Sequence, residues 1–356
     1  MGGVKLHHFW IAAGVAAVGM GTVPRSLAKI LDYKPLAVEV LPNDQLVIQG
    51  FEGRVKLIGQ PGEEGAKGLV IRLQKEENPT KISSEAQAVL DEWHFSLQRK
   101  GNRLEGVIRS PQSKQTWSQL LMSGGIPQFY MEITSPSIPV EVTWRRGKVV
   151  IENWNAPLKA HVLQGEVQVV GGSGEARVVH QQGALTVSGR EGHVVVESFK
   201  GNVSVDQVKG RVDLKNFSGS TRVNAVDGSL NLTSASGALK VTDCSGRLNF
   251  NNLGASVTIS GFSGELRGRS GVGAVRAALK GKADVRIRSK EGSVSLRLPH
   301  SGAKVNLGTR EGSMALPKHL RVSRLPSLRW VKGWLRGEEK GGSVYVRTTE
   351  GNIRLR

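Results

Sequence analysis

The sequence holds a single cysteine, Cys244, among 356 residues. No internal disulfide can form, and a zinc site built from several thiolates is excluded. Aromatic residues make up only 5% of the chain, too few for the bulky core of an ordinary globular domain. The 13 prolines show no period with glycine, which excludes a collagen-like fibre. Acidic residues are outnumbered: 30 Asp and Glu stand against 49 Lys and Arg, a formal net charge of +19. Such a balance favours polyanionic neighbours and says nothing about fold. A basic solvated surface with no specific partner accounts for it equally well. The eight histidines are scattered, and His161, His180 and His193 share no metal-ligand spacing with carboxylates. No Ser-His-Asp order and no phosphate loop stand out, so no catalytic residue, metal or cofactor is expected.

Long apolar runs are confined to the front. Lys5 and an apolar stretch from Phe9 to Val23 precede Ser26-Leu27-Ala28, small residues at the −3 and −1 positions of a cleavage site. Residues 1–28 therefore read as a secretory signal peptide cut after Ala28. The run is about fifteen residues, short of the ~20 that span a bilayer; an uncleaved anchor is the alternative. No cysteine lies near the cut to make a lipoprotein. Loss of Lys5 and Arg25 would leave 47 cationic residues against 30 acids, a charge of +17. The product is expected outside the cytoplasm, in the periplasm or at the cell surface, where nucleic acid is not an expected partner. Lipopolysaccharide, another envelope component or a polyanionic polysaccharide fits better.

Glycine is what the chain has in excess: 45 residues, about 13% against an average of ~7%. From Gly165 it recurs every nine residues, at Gly174, Gly183, Gly192, Gly201, Gly210, Gly219, Gly228, Gly237 and Gly246. The next step falls on Ala255, and the ladder resumes at Gly264 and Gly273. The second and fourth residues after each glycine are mostly apolar and the third polar, as in Val203-Ser204-Val205, Val212-Asp213-Leu214 and Leu230-Asn231-Leu232. That is the period of a strand with one buried face. A further apolar residue often sits two places before the next glycine: Phe199, Val208, Phe217, Val226, Cys244, Leu253 and Phe262. Each unit then reads as a short strand, an apolar corner and a turn at a residue without Cβ. One unit cannot bury its inner face alone, but stacked units enclose a column of Val, Leu and Ile. The pattern predicts an all-β, parallel β-solenoid of ~9-residue strand-turn units. Two strands per coil are expected, with three as the alternative.

The predicted organisation is a signal peptide at 1–28, a β-rich N-terminal cap or irregular early coils at 29–145, and the solenoid at 146–356 with an insertion at 318–341. In the insertion Leu328, Val331, Trp334 and Leu335 share one helical face beside Arg329, Lys332 and Arg336. A basic amphipathic helix over 320–336 could touch a membrane surface; a segment folded back over the open solenoid edge is the other reading, and the favoured one. The chain ends on a repeat strand, so no C-terminal membrane barrel is expected.

The repeats Gly201-Asn202-Val203-Ser204-Val205, Gly210-Arg211-Val212-Asp213-Leu214 and Gly228-Ser229-Leu230-Asn231-Leu232 resemble those of the bacterial "putative adhesin" family. Ile138–Val142 followed by Gly147–Ile151 looks like that family's lead-in to its repeats, and the resemblance runs from about residue 40 to 356. It implies a glycine-punctuated β-solenoid and carries over no site residues. Function is not read from fold alone. The expected role is an exported, non-enzymatic envelope protein, adhesive or scaffolding. A carbohydrate-active β-helix enzyme of lyase or glycosidase type is the alternative, and it would need facing carboxylates. Asp206, Asp213, Asp227 and Asp243 are spread over several coils, as surface solvation requires. Calcium is not expected, because the turns hold no regular aspartate. One basic feature is regular: Arg267, Arg276, Arg286, Arg288 and Arg297 fall at or near outward strand positions. Guanidinium forks suit sulfate, phosphate and carboxylate, so these five are the candidate polyanion-binding residues; solvated arginines that blunt edge pairing are the alternative. Cys244 reads as a buried small apolar residue.

Overall fold

Period-two burial between regularly spaced glycines gives strands that seek an equivalent partner on each side. The structure, a computed structural model, describes residues 29–60, 68–77, 88, 90–110, 127–299, 303–318, 320–324, 330–335 and 342–356. The leader at 1–28, Leu328, Arg329 and Arg336 lie outside the described residues. The described residues are nearly all strand, and the chain divides into two compact units, Met1–Gly174 and Glu175–Arg356.

In the first unit the strands Gln45–Gln60, Val140–Glu152 and Leu158–Val170 stack in parallel, with Leu46 facing Val140 and Val140 facing Leu158. Arg103–Arg109 and Gln128–Pro136 each pair in parallel with one half of Gln45–Gln60. Antiparallel strands (Lys29–Asp32, Leu36–Glu39, Gly68–Glu77 and His94–Lys100) complete the unit. Trp93, Phe129, Trp144 and Trp154 fill its core. Gly50 makes that possible for Trp144, since a Cβ there would lie 2.0 Å from the indole ring. Asp44, fully buried, takes both carboxylate oxygens to Arg99 Nη1 at 2.8 Å.

The second unit carries most of the repeat, and from Ala176 to Ser260 each strand pairs in parallel with the one eighteen residues on. The long strands Glu191–Lys200, Lys209–Ser218, Asp227–Ser236 and Ser245–Asn252 form one ladder. Four-residue strands (Leu185–Ser188, Val203–Asp206, Thr221–Asn224 and Leu239–Thr242) form a second. Val257–Ser270 and Val275–Ser289 each supply a rung to both ladders. The inward residues Val194, Val212, Leu230, Leu248 and Leu266 are buried in register.

The structural repeat is thus eighteen residues, because successive corners differ. Strict alternation would place a residue three beyond an inward one on the outside. Val208, Val226 and Cys244 escape that rule because Gln207, Ala225 and Asp243 before them adopt positive φ of 53°, 51° and 48°. That left-handed residue flips the next side chain inward, and all three are buried. The other corners have no such residue. There Ser198, Asn216, Ser234 and Asn252 take the inside, and Phe199, Phe217 and Leu253 are left exposed. The inner polar side chains hold the turn: Asn216 donates to Gly219 O at 3.0 Å, Ser234 to Gly237 O at 3.2 Å and Ser270 to Gly273 O at 2.8 Å. The apolar corner expected from sequence is therefore buried at Val208, Val226 and Cys244 and exposed at Phe199, Phe217 and Leu253.

At the C-terminal end the order in space departs from the order in sequence. Val285–Ser289 pairs with Val344–Thr348, and that strand, Gly342–Thr348, pairs on its far side with Ala303–Thr309. On the short ladder Val294–Arg297 pairs with Ile353–Leu355, which pairs in turn with Met314–Ala315. The last coil of the chain therefore lies between two earlier ones. Ser343 N and Oγ both donate to Asp284 Oδ1, at 2.9 and 2.8 Å, and Ser313 N and Oγ reach Asn352 Oδ1 at 2.8 and 2.9 Å. Of the two readings of 320–336, the described residues, 320–324 and 330–335, are strands folded back on an edge and not a helix. Leu320–Arg324 and Trp330–Leu335 are antiparallel strands, and Trp330–Leu335 adds to the free edge of Ala303–Thr309. Alternation explains it: Val331, Gly333 and Leu335 lie on the opposite side from Trp330, Lys332 and Trp334, and a short apolar run can read with either period. No helix among the described residues is long and apolar enough to cross a membrane.

Candidate functional site

The outward face of the long ladder gathers the chemistry. Eight-residue and longer strands give it three parallel rows of side chains, with rungs about 4.8 Å apart and residues along a strand about 7 Å apart. On one rung stand Arg267 and Arg269; the next carries Arg286 and Arg288, directly opposite them. The third rung, supplied by the returning C-terminal strand, adds Tyr345 opposite Arg286 and Arg347 opposite Arg288. Arg267, Arg269, Arg286 and Arg288 are exposed. Asn231, Thr233, Asn249 and Asn251 continue the rows toward the earlier coils, and these residues border a shallow groove of about 430 Å³.

Of the five arginines expected from sequence, the structure brings together Arg267, Arg286 and Arg288. Arg276 and Arg297 lie on the short ladder, Arg276 between Thr258 and Ser295 and Arg297 beside Ala278. Arg269 and Arg347 belong to the cluster and were missed. Arg269 was legible two residues after Arg267, whereas Arg347 is remote in sequence and arrives only through the returning coil. Arg347 lies 3.2 Å from the Trp330 ring centroid and 4.7 Å from that of Tyr345, and its Nε donates to Tyr345 Oη at 3.0 Å. Gly308 leaves the space for its guanidinium. The far end of the face is therefore a stacked cation–aromatic patch, extended by Lys304 over Trp334 at 5.5 Å.

Electrostatically the cluster is nearly uncompensated. Glu265 bonds to Arg247 at 2.9 Å and to Arg267. Desolvation pushes its pKa up, but bonds from these two arginines prevail and hold the carboxyl below its usual range. For Arg269, Arg286 and Arg288 no carboxylate lies in ion-pair range among the described residues. Two unit charges about 6 Å apart repel by about 0.7 kcal/mol in water, so four neighbouring pairs cost about 2–3 kcal/mol at low salt, less at physiological ionic strength.

The carboxylates do not assemble. Asp206 accepts from Asn224 at 2.6 Å and Asp227 from Ser245 at 2.6 Å, each across one rung. Asp213 is bonded by His193 Nε2 and Arg211 Nε, both at 2.8 Å, and by Asn231 at 2.6 Å. Among the described residues no group of three His, Cys, Asp or Glu side chains could hold a metal ion. The repeat glycines line the corners. Gly165, Gly174, Gly183, Gly192, Gly201, Gly210, Gly219, Gly228, Gly237, Gly246 and Gly264 have positive φ, and Gly273 sits where a Cβ would lie 1.6 Å from Ala255 O.

The family description Toastrack DUF4097 matches residues 158–356, more than half of the chain. The chain belongs to this family. The arginine face lies wholly within the Toastrack match. No curated protein matches the chain. Among solved structures, the chain is similar to a "putative cell adhesion protein" from Clostridium sporogenes, at 13% identity over 90% of this chain and 98% of that one, TM-score 0.20. It is also similar to a "putative lipid binding protein" from Parabacteroides distasonis (11% identity, 91% and 96% covered, TM-score 0.29). A "putative adhesin" from Bacteroides fragilis shares 13% identity over 75% of this chain and 96% of that chain, TM-score 0.29.

Proposed function

We propose that this Toastrack protein is an exported, non-enzymatic component of the cell envelope, a solenoid of two strands per coil whose long-ladder face binds polyanions. One observation carries the reading: guanidinium groups stand on adjacent rungs at Arg267/Arg286 and Arg269/Arg288, with Arg347 on the third, beside a single ion-paired acid. Natural selection for stability alone would place opposite charges across such rungs. Arginine repeated at about 5 and 7 Å instead matches ligands with repeated sulfate, phosphate or carboxylate groups, to which the guanidinium fork bonds in pairs. The acid on the row of Arg267, Asp213, is tied up by His193, Arg211 and Asn231, and the open arginine rows favour an adhesive or scaffolding role. Periplasm or cell surface is the compartment where such ligands abound.

The test is binding of heparin and lipopolysaccharide to the chain from Lys29 to Arg356, which holds every described strand. The variant R269E/R286E/R288E is expected to lose affinity by tenfold or more, and the wild-type affinity to fall steeply with salt. The reading is wrong if the charge-reversed variant binds as wild type does.

A further inference from the structure

The arginine rows have an apolar margin. One strand position beyond the row that holds Lys215, Asn251 and Arg269 on the same outward face stand Phe199, Phe217, Ala235 and Leu253, and Val272 continues them. Leu253 N bonds to Ser234 O at 3.0 Å and Val272 N to Leu253 O at 3.1 Å, so the five lie on consecutive rungs and form a ridge about 19 Å long. Phe199 and Phe217 stack at 5.0 Å with their rings 12° apart. Exposure of the four large residues runs from 43% at Phe199 to 58% at Val272. Together they offer about 350 Å² of apolar surface, in the range of patches that mark an interaction site.

The fold does not need these side chains. Ser198, Asn216, Ser234 and Asn252 occupy the inside at the same corners and tie the turns, so any polar residue would serve at the outer position. What covers the ridge follows from charge. Lys200, Lys215, Arg269, Arg288 and Lys290 flank it, with Glu197 and Glu291 as the acids nearby, and Lys290 pairs with Glu291 at 2.9 Å. A second copy of this chain packed ridge to ridge would press the two arginine clusters together. An anionic bilayer complements both features, because its phosphates meet the cations while its acyl boundary receives the apolar edge.

We infer that this margin docks on an anionic lipid surface, with Phe199, Phe217, Leu253 and Val272 entering the headgroup–acyl boundary and the adjacent Arg and Lys rows meeting lipid phosphates. The inference rests on the polyanion reading of the same face and names the ligand: phosphate displayed on a bilayer rather than on a soluble polymer.

Co-sedimentation of the chain from Lys29 to Arg356 with vesicles of phosphatidylglycerol in phosphatidylcholine, alongside dextran sulfate binding, separates the two claims. Wild type is expected to bind both, and to bind vesicles of phosphatidylcholine alone weakly. The variant F199S/F217S/L253S, its fold checked by circular dichroism, should lose vesicle affinity by about tenfold or more and keep its dextran sulfate affinity. R269E/R286E/R288E should lose both. If the ridge variant sediments with anionic vesicles as wild type does, the membrane inference is overturned and the polyanion reading stands. If the arginine variant keeps dextran sulfate, the polyanion reading falls. A ridge variant that changes only the oligomeric state would assign the margin to self-association and also overturn the inference.

Discussion

Replacing Gly228 by alanine should cost far more than replacing Gly281, although both have positive φ, 142° and 77°. A Cβ at Gly228 would lie 2.0 Å from Gly210 O and 2.8 Å from Gly210 C, whereas at Gly281 nothing lies within 4 Å. Holding alanine in a glycine-only region costs about 1–3 kcal/mol. At Gly228 the contact must also be relieved by more than 1 Å, since ordinary carbon–oxygen contacts begin near 3.4 Å. Lys209–Ser218 and Asp227–Ser236 are held in register along their whole length, so separating them at the corner lengthens the neighbouring ladder bonds, each worth about 1 kcal/mol net. The sum is about 3–5 kcal/mol at Gly228 and about 1 kcal/mol at Gly281. For a unit of this size 1 kcal/mol shifts Tm by about 2–4 °C, so the losses should be about 10–15 °C and about 3 °C. Thermal melts followed by circular dichroism read both. Equal shifts in the two variants would refute the claim that close carbonyl approach between stacked corners, rather than turn conformation alone, selects glycine.

Removing Arg288 by Arg288→Gln should raise Tm at low salt by about 3–6 °C, because repulsion from Arg269 and Arg286 is relieved, and the gain should shrink with added salt; heparin affinity should fall in the same variant. Phe262→Ala should cost about 3–5 kcal/mol by denaturant titration, since Phe262 is fully buried, while Phe199→Ala should stay within about 0.5 kcal/mol; similar costs would contradict the two corner types. The Cys244 thiol, raised in pKa by burial despite bonds to Val226 N and Thr242 O, should not react with Ellman's reagent until the chain is unfolded. Burial raises the Asp213 carboxyl, yet bonds from Asn231, His193 and Arg211 outweigh it and hold the group below the usual carboxylate range. Its contribution is therefore full above its unfolded pKa and lost as pH falls through the lowered folded value. Asp213→Asn should accordingly melt with a weaker dependence on acid pH than wild type, and an unchanged profile would dismiss this network.

The nine-residue spacing, read with the alternation of Val, Leu and Ile, was enough to foretell strands with a buried face, their parallel stacking and the placement of glycine at corners. Those features follow from local chemistry, a Cβ clash and a period of two, which the sequence writes out repeat by repeat. Pairing eighteen residues apart, as two units per coil require, is also what the strands show; the difference between alternate corners was not legible. Phe217 and Val226 occupy the same place in the pattern, and only the left-handed Ala225 turns Val226 inward. Alanine carries no signal for that conformation. In the insertion the favoured reading, a segment folded back over an edge, is the one its described strands show; Trp330–Leu335 fits both periods, and pairing with Ala303–Thr309 decided against the helical alternative.

The candidate site divides along the same line. Sequence alone determined that outward arginines recur near Arg267, Arg286 and Arg288, because strand period fixes which side chains share a face. Only the tertiary structure decided which rungs touch. Ala303-Lys304-Val305-Asn306-Leu307 and Gly342-Ser343-Val344-Tyr345-Val346 carry the same alternation, so either could have stacked on Val285–Ser289. The second did, drawing Arg347 and Tyr345 into the cluster. Long-range pairing is chosen by the fit of whole coils, their corners and the loops that join them, and no local pattern contains that choice.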